Sequence, residues 1–222
     1  YLGAVSANKP SAKLMQALAK LLCQISQRPR LLARMALRAS RLTSGLGAQF
    51  LALLLHADAL ALRVAEPSDS ALVWRWRNDE RTRHTALNQD AIDFAAHTQW
   101  YRQVLANPEQ FLLIGHILGR AIGVLRYDLR RLSESQTEAE ATVSLYLDPE
   151  LHALGFGTRL LRLACLWLST QAPYVKRLVA VIRSSNQASR SAFARAGFSQ
   201  SLEHTSERQD VDEIEHWFWQ RT

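Results

Sequence analysis

Residues 147–161, LDPELHALGFGTRLL, run from an apolar stretch through a proline turn to Gly155 and Gly157, then into a helical pattern. That succession commits the chain to a strand feeding a helix through a tight turn. The first N–H groups of a helix have no intrahelical carbonyl, and the helix dipole adds partial positive charge there. Glycine removes the side chain that would hold a bulky anion at a distance. The stretch reads as an anion cradle or as an ordinary strand-to-helix turn, and a glycine pair alone does not separate the two.

The pattern on either side decides the fold class. "LALRVA" from Leu60 is a short strand closed by Pro67, and Ser68 is placed to cap a helix containing Leu72, Val73 and Trp76. Asp90 is placed to cap a second helix that reaches Asn107 ahead of Pro108. "FLLIGHILGRAIGVLRYDL" reads as two strands joined at Leu118–Arg120, "RRLSESQTEAE" as a loop and "ATVSLYLD" as a strand. Thr158–Ser169 is a helix with Leu160, Leu161, Ala164, Trp167 and Leu168 on one face. "RLVAVI" is a strand, Asn186–Ala196 a helix ending at Gly197, and two last strands fit around Phe198–His204 and Ile214–Gln220. The order β-α-α-β-β-β-α-β-α-β-β predicts an α/β domain with a mixed central sheet flanked by helices.

Before Leu60 the chain changes character. "SAKLMQALAKLL" carries Leu14, Leu18, Leu21 and Leu22 as a helical stripe, and residues 28–55 read as two more helices broken at "TSGLGA". This appendage is too small for much core of its own and reads as the end of something larger. The chain begins at Tyr1 and not at Met, in keeping with a piece of a longer protein. Its 222 residues suit one core plus an appendage.

The formal charge of +7 invites a nucleic-acid partner, but its distribution argues against one. Residues 1–60 hold eight basic residues against Asp58 alone, leaving 19 of the 27 basic and 19 of the 20 acidic residues downstream. The excess belongs to helical stretches with solvated faces, so no nucleic acid is expected. Cys23 and Cys165 stand far apart without metal-ligand spacing, which predicts no disulfide framework, no metal and a reducing, cytoplasmic setting. The apolar run Phe50–Leu55 is too short for membrane insertion, and no cleavable signal is visible. Self-association as a homodimer is left open.

The glycine turn, the following helix and strand, and then "NQASRSAFARAGF" together resemble the GCN5-related N-acetyltransferase (GNAT) superfamily over about residues 60–222. The resemblance implies acetyl-CoA as acetyl donor. "HALGFG" occupies the pyrophosphate loop, with His152 where Gln or Arg is usual. The implied coenzyme contacts are Tyr146, Leu147, His152, Leu154, Gly155, Phe156, Gly157, Thr158, Asn186 and Phe193. Asn186 and Gly197 also read as ordinary helix caps. Phe193 departs from the family, which often has Tyr there to protonate the leaving thiolate. A thiol pKa near ~8.5 makes that loss small near neutral pH.

A narrower resemblance lies upstream. "WRWRNDERTR" followed by "HTQWY" looks like the sugar-nucleotide N-acetyltransferases of pseudaminic acid synthesis. That resemblance implies Arg77, His97 and Trp100 at a UDP-amino sugar pocket, with Phe94, His97 and Trp100 as an aromatic wall. Phe94 and Trp100 as core residues and His97 as a satisfied polar group is the other reading. The same motifs occur in acetyltransferases of protein N-termini. Residues 1–57 resemble the C-terminal end of the nucleotide-sugar hydrolase of the same pathway. Met35, Ala39, Leu42, Gly45, Gly47 and Ala48 fit, whereas Ser44 and Gln49 replace Asp and Arg. Such a remnant would hydrolyse nothing.

The expected reaction is direct attack of a sugar 4-amino group on acetyl-CoA. The strand Ser144–Leu147 is expected to splay from its neighbour and offer backbone N–H groups to pantetheine and to the thioester carbonyl. Candidates to take the amine proton or hold a water are Ser144, Glu140, Glu138 and Tyr127, with Tyr127 also a candidate for the missing phenol. The rival readings are a protein N-terminal acetyltransferase and a non-catalytic acyl-CoA-binding module.

Overall fold

A computed structural model describes residues 46–132, 138–200 and 214–220, together with Gln16, Lys20 and Gln24. The chain divides into two compact units, Tyr1–Asp58 and Ala59–Thr222. In the first, α1 (Leu46–Leu55) is an apolar helix without acidic or basic residues. The helices expected before it lie almost wholly outside the described residues; of the break expected at "TSGLGA", Thr43–Gly45 lie outside them too, whereas Gly47 sits within α1 and does not interrupt it.

The second unit carries a seven-stranded sheet in the order β1-β2-β3-β4-β5-β7-β6. The strands are β1 (Leu60–Val64), β2 (Gln110–Ile117), β3 (Arg120–Arg131), β4 (Ala139–Leu147), β5 (Val175–Arg183), β6 (Ser199–Gln200) and β7 (Ile214–Gln220). Every pairing is antiparallel except β4 with β5. The helices of this unit are α2 (Ser70–Asn78), α3 (Glu80–Thr85), α4 (Phe94–Ala106), α5 (Phe156–Gln171) and α6 (Gln187–Ala196).

Local chemistry explains the boundaries. Leu118 and Gly119 both take positive φ, 49° and 82°, as a two-residue hairpin between right-twisted strands requires. Helix α2 starts later than Ser68 suggests, because Pro67 opens a turn of 3-10 helix over Pro67–Asp69. Asp69 anchors that turn, accepting two bonds from Arg63 at 2.7 Å and one from the Glu66 N–H at 2.8 Å. Asp93, not Asp90, caps α4: its carboxylate accepts from the N–H groups of Ala95 and Ala96. Asp90 instead sits in the preceding loop, its N–H bonded to Asn88 Oδ1. The six-residue α3 has no apolar stripe and escapes sequence reading. Of the strand expected over Phe198–His204, β6 holds Ser199–Gln200, and residues 201–204 lie outside the described residues.

The sheet has two differently dressed faces. On the front, α2 and α4 pack through Val73, Trp76, Tyr101 and Val104 onto Leu112, Ile114 and Val124, with Tyr146 at the margin. Behind it, α5 buries Leu160, Leu161, Ala164, Cys165 and Leu168. It sits close because Gly115 and Gly123 leave a notch: a Cβ on Gly115 would come within 2.1 Å of Leu160 Cδ2, and one on Gly123 within 2.9 Å of Leu160 Cδ1. Side-chain alternation separates the faces, so Ser144 and Tyr146 share the front while Leu145 and Leu147 face back.

Candidate active site

The site begins where a pairing stops. Along β3, β4 is paired from Ala139 to Leu147. Its parallel partner β5 meets it only from Ala139↔Val175 to Thr142↔Val179. Beyond that point β5 continues against β7 as far as Arg183↔Ile214. The edge of β4 over residues 143–147 therefore has no strand partner on that side among the described residues. A V-shaped opening lies between it and the end of β5. Unpaired strand amides must find partners elsewhere, and an extended chain bearing amides can supply them.

The glycine turn closes one arm of the opening. Ala153 and Gly155 take φ 63° and 82°, and Gly155 is the N-cap of α5. A Cβ on Gly155 would meet nothing within 4 Å, so glycine is there for its backbone conformation. Gly157 differs: its Cβ would point among Ala192, Leu145 and Leu147 at 3.7–3.8 Å, between the β4 edge and α6. His152, Ala153, Leu154 and Gly155 are exposed, whereas Phe156, Gly157 and Thr158 are buried. The Thr158 hydroxyl donates to the Ala192 carbonyl at 3.4 Å and ties α5 to α6.

Asn186 closes the other arm. Its Oδ1 accepts from the Ser189 N–H at 3.0 Å as a helix cap. Its Nδ2 donates across the mouth to the Thr85 carbonyl at 3.2 Å, and Arg183 Nη1 donates to the Ala86 carbonyl at 3.2 Å. Gly197 ends α6 at φ 98°. Phe193 is buried, edge-on to Phe198 with ring centroids 5.0 Å apart. Its ring is a core contact between α6 and the following chain.

The front wall of the opening is the loop between α3 and α4. Trp74 Nε1 and Asn78 Nδ2 both donate to the Ile92 carbonyl, and Asn78 Oδ1 accepts from the Ile92 N–H. Asn78 is thus the unforeseen anchor of the WRWRN stretch; its short polar side chain behind a tryptophan-rich helix end was the available signal. Arg77 Nη2 donates to the Asn88 carbonyl at 2.7 Å. Trp100 lies beneath Arg126, whose guanidinium carbon is 5.6 Å from the ring centroid. Ser144 is exposed, and Tyr146 is part-buried, its phenol kept protonated by burial.

Other expected site residues do not line this opening. His97 is 3 % exposed, with Nε2 3.3 Å from the Ser70 carbonyl oxygen and its ring stacked on Trp100 at 5.3 Å. Burial holds its pKa below the usual histidine value. It positions α4 and Trp100 and is sealed from an acceptor. Phe94 packs edge-on to Trp74 at 5.1 Å, so the expected aromatic wall is not continuous. Tyr127 is fully buried in mid-strand on the back face, its phenol raised well above the ordinary value by burial with Cys165 nearby. Alternation puts it on the wrong side to meet a thiolate. Glu140 is held by Arg130 at 2.9 Å and by Arg177 at 2.5 Å, at the closed end of the β4–β5 pair. Four residues of strand, about 13 Å, separate it from Ser144. Glu138 lines a separate depression at that closed end with Leu132, Lys176, Arg177 and Gln220. Among the described residues no cluster of three or more His, Cys, Asp or Glu could hold a metal ion, and no helix is long and apolar enough to cross a membrane.

Known structures share this architecture. The aminoglycoside acetyltransferase AAC(6')-Ib, solved with paromomycin and acetyl-CoA, superposes at TM-score 0.62 with 19% identity, over 74% of this chain and 94% of that one. Spermidine N-acetyltransferase from Vibrio cholerae, solved with CoA and spermine, gives 0.62 with 13% identity over 73% and 96%. RimL, a ribosomal L7/L12 alpha-N-protein acetyltransferase in complex with CoA, gives 0.60 with 14% identity over 73% and 94%. No curated protein matches the chain at a significant level. A family model described as an acetyltransferase (GNAT) domain matches residues 59–199, the span that holds the splayed strand, the glycine turn and Asn186. The chain belongs to the GNAT acetyltransferases.

Proposed function

We propose that this acetyltransferase moves the acetyl group of acetyl-CoA to the 4-amino group of a UDP-linked amino-dideoxy sugar, in the pathway to pseudaminic acid. The observation that carries the acceptor class is Arg77, a part-buried guanidinium on the front face with no carboxylate partner among the described residues. Burial lowers its proton affinity, and a nearby anion would offset that. Spermine and aminoglycosides, the ligands of two structural neighbours, are polycations and would be repelled there.

Acetyl-CoA supplies the thioester whose acyl group is transferred. The α5 turn, residues 152–158, fits its pyrophosphate: positive-φ backbone at Ala153 and Gly155 and a bare Cα at Gly157 leave N–H groups unobstructed. The open edge of β4 fits pantetheine and aims N–H groups at the carbonyl under attack. Ser144 and Tyr146 share the front with Arg77 and Trp100, so Ser144 is the remaining candidate to hold the water that takes the ammonium proton. With Phe193 in the core, the thiolate leaves into solvent. Few and distant cysteines support a cytoplasmic setting. Residues 1–57 are proposed as an inert hydrolase remnant ahead of the catalytic domain.

The deciding experiment is thiol release from acetyl-CoA with four amines: a UDP-4-amino sugar, spermidine, an aminoglycoside and peptides with free N-termini. Turnover of the UDP-sugar alone is expected. Preference for peptides would establish the protein N-terminal acetyltransferase reading instead, and silence with every amine would favour a binding module.

A further inference from the structure

Two neighbouring guanidiniums on the front face lack an anion among the described residues. Arg77 reaches the α3–α4 loop from the end of α2, and Arg83 reaches it from α3. Arg77 Nη2 takes the Asn88 carbonyl at 2.7 Å, and Arg83 Nη1 takes the next one, Gln89, at 3.3 Å. Arg77 Nη1 and Arg83 Nε are buried with no hydrogen-bond partner among the described residues. Neither residue is ion-paired among the described residues, whereas Arg63, Arg81, Arg126, Arg177 and Arg190 each sit on a carboxylate.

The two charges also act on each other. Burial, above all, and the neighbouring Arg83 lower the proton affinity of Arg77; Asp90 opposes this but makes no ion pair among the described residues. Tyr146 stands on the open edge of β4 at the margin of the front cluster, and its phenol makes no hydrogen bond among the described residues. Buried donors without acceptors and adjacent like charges are both unfavourable, and one feature removes both: an oxyanion between them. Guanidinium forks suit phosphate in particular, since each offers two parallel donors.

We propose that Arg77, Arg83 and Tyr146 form an oxyanion subsite that takes a phosphate group of the amine acceptor. Arg83 is the specificity-determining residue that the WRN-type motif does not include. The subsite rests on the reading above only in that its ligand is an acceptor; its own test is independent of any sugar.

The test is calorimetric, on the full chain saturated with CoA so that the glycine turn stays occupied. Pyrophosphate and malonate are titrated into the wild type, Arg83→Gln and Arg83→Lys. Pyrophosphate should bind the wild type and weaken about tenfold or more in Arg83→Gln, with Arg83→Lys between them. Unchanged CoA affinity verifies the fold of each variant, and if Arg83→Gln fails that check Arg83→Lys carries the comparison. Pyrophosphate that ignores the substitution, or that fails to bind the CoA-loaded wild type, would overturn the subsite. Malonate binding more tightly than pyrophosphate would overturn its assignment to phosphate. Arg83-dependent pyrophosphate binding with no acetylation of a UDP-amino sugar would leave the subsite standing and remove the sugar reading alone.

Discussion

The two faces of the sheet are built on opposite terms. Behind it, α5 lies in a glycine notch over Gly115 and Gly123 with apolar side chains fully interlocked. In front, α2 and α4 cover only part of the sheet, and their margin carries Arg77, Arg83, Tyr146 and Trp100 around a loop held by side-chain bonds to its carbonyls. A back-face change should therefore cost stability and spare specificity, and a front-face change should do the reverse. The glycine turn belongs to both, because α5 starts there.

The largest effect is expected where the two faces meet. Gly157→Glu puts a carboxylate and its stem between the β4 edge and α6, and calorimetry on the folded variant should show acetyl-CoA binding lost. Unchanged affinity would sink the cradle reading. Gly115→Val tests the back face alone. A Cβ 2.1 Å from Leu160 has no room, so urea unfolding should register a loss of about 1–3 kcal/mol. Activity per folded molecule should hold, and a shifted acceptor KM would blur the division of labour.

Arg77→Ala tests the front face. Losing a charge-assisted contact removes about 1.5–3 kcal/mol, so the acceptor KM should rise roughly ten- to hundredfold while the acetyl-CoA KM stays put. His97→Ala should instead lower the melting temperature, since its ring is sealed between Ser70 and Trp100. Glu140→Gln, at the closed end of the opening, should lower stability and leave the shape of the kcat–pH profile unaltered; loss of that profile's acidic limb would restore Glu140 as the base. The smallest effect is expected from removing residues 1–57. There kcat/KM should change by less than about threefold, under ~0.7 kcal/mol, and a hundredfold loss would make the segment part of the site.

Much of this was legible in the residues. Gly155, Gly157 and Gly197 announced positive φ or bare backbone, and the strand and helix periods placed nearly every element. Tyr127 was misplaced although its neighbours held the answer: Arg126 and Asp128 are polar, so alternation puts Tyr127 with Leu125 and Leu129 in the core. Glu140 could not have been resolved that way, because its partners Arg130 and Arg177 meet it only through cross-strand register. Asp90 and Asp93 are both good caps, and only the tertiary bonds of Asn78 to Ile92 decide where the loop ends and α4 begins. Arg83 was hidden in a run of charges, where one arginine without a carboxylate looks like any other.

The open edge of β4 has a further consequence, for aggregation. An exposed strand edge is a template on which foreign chains can add. Here the open length is only residues 143–147 and lies inside the sheet, between β3 and a diverging β5, so a second polypeptide strand has no room to run past Thr142. A slender amide-bearing ligand does. Acetyl-CoA should then act as the missing strand, slowing hydrogen exchange at the amides of 143–147 and raising resistance to heat-induced aggregation in step with its occupancy.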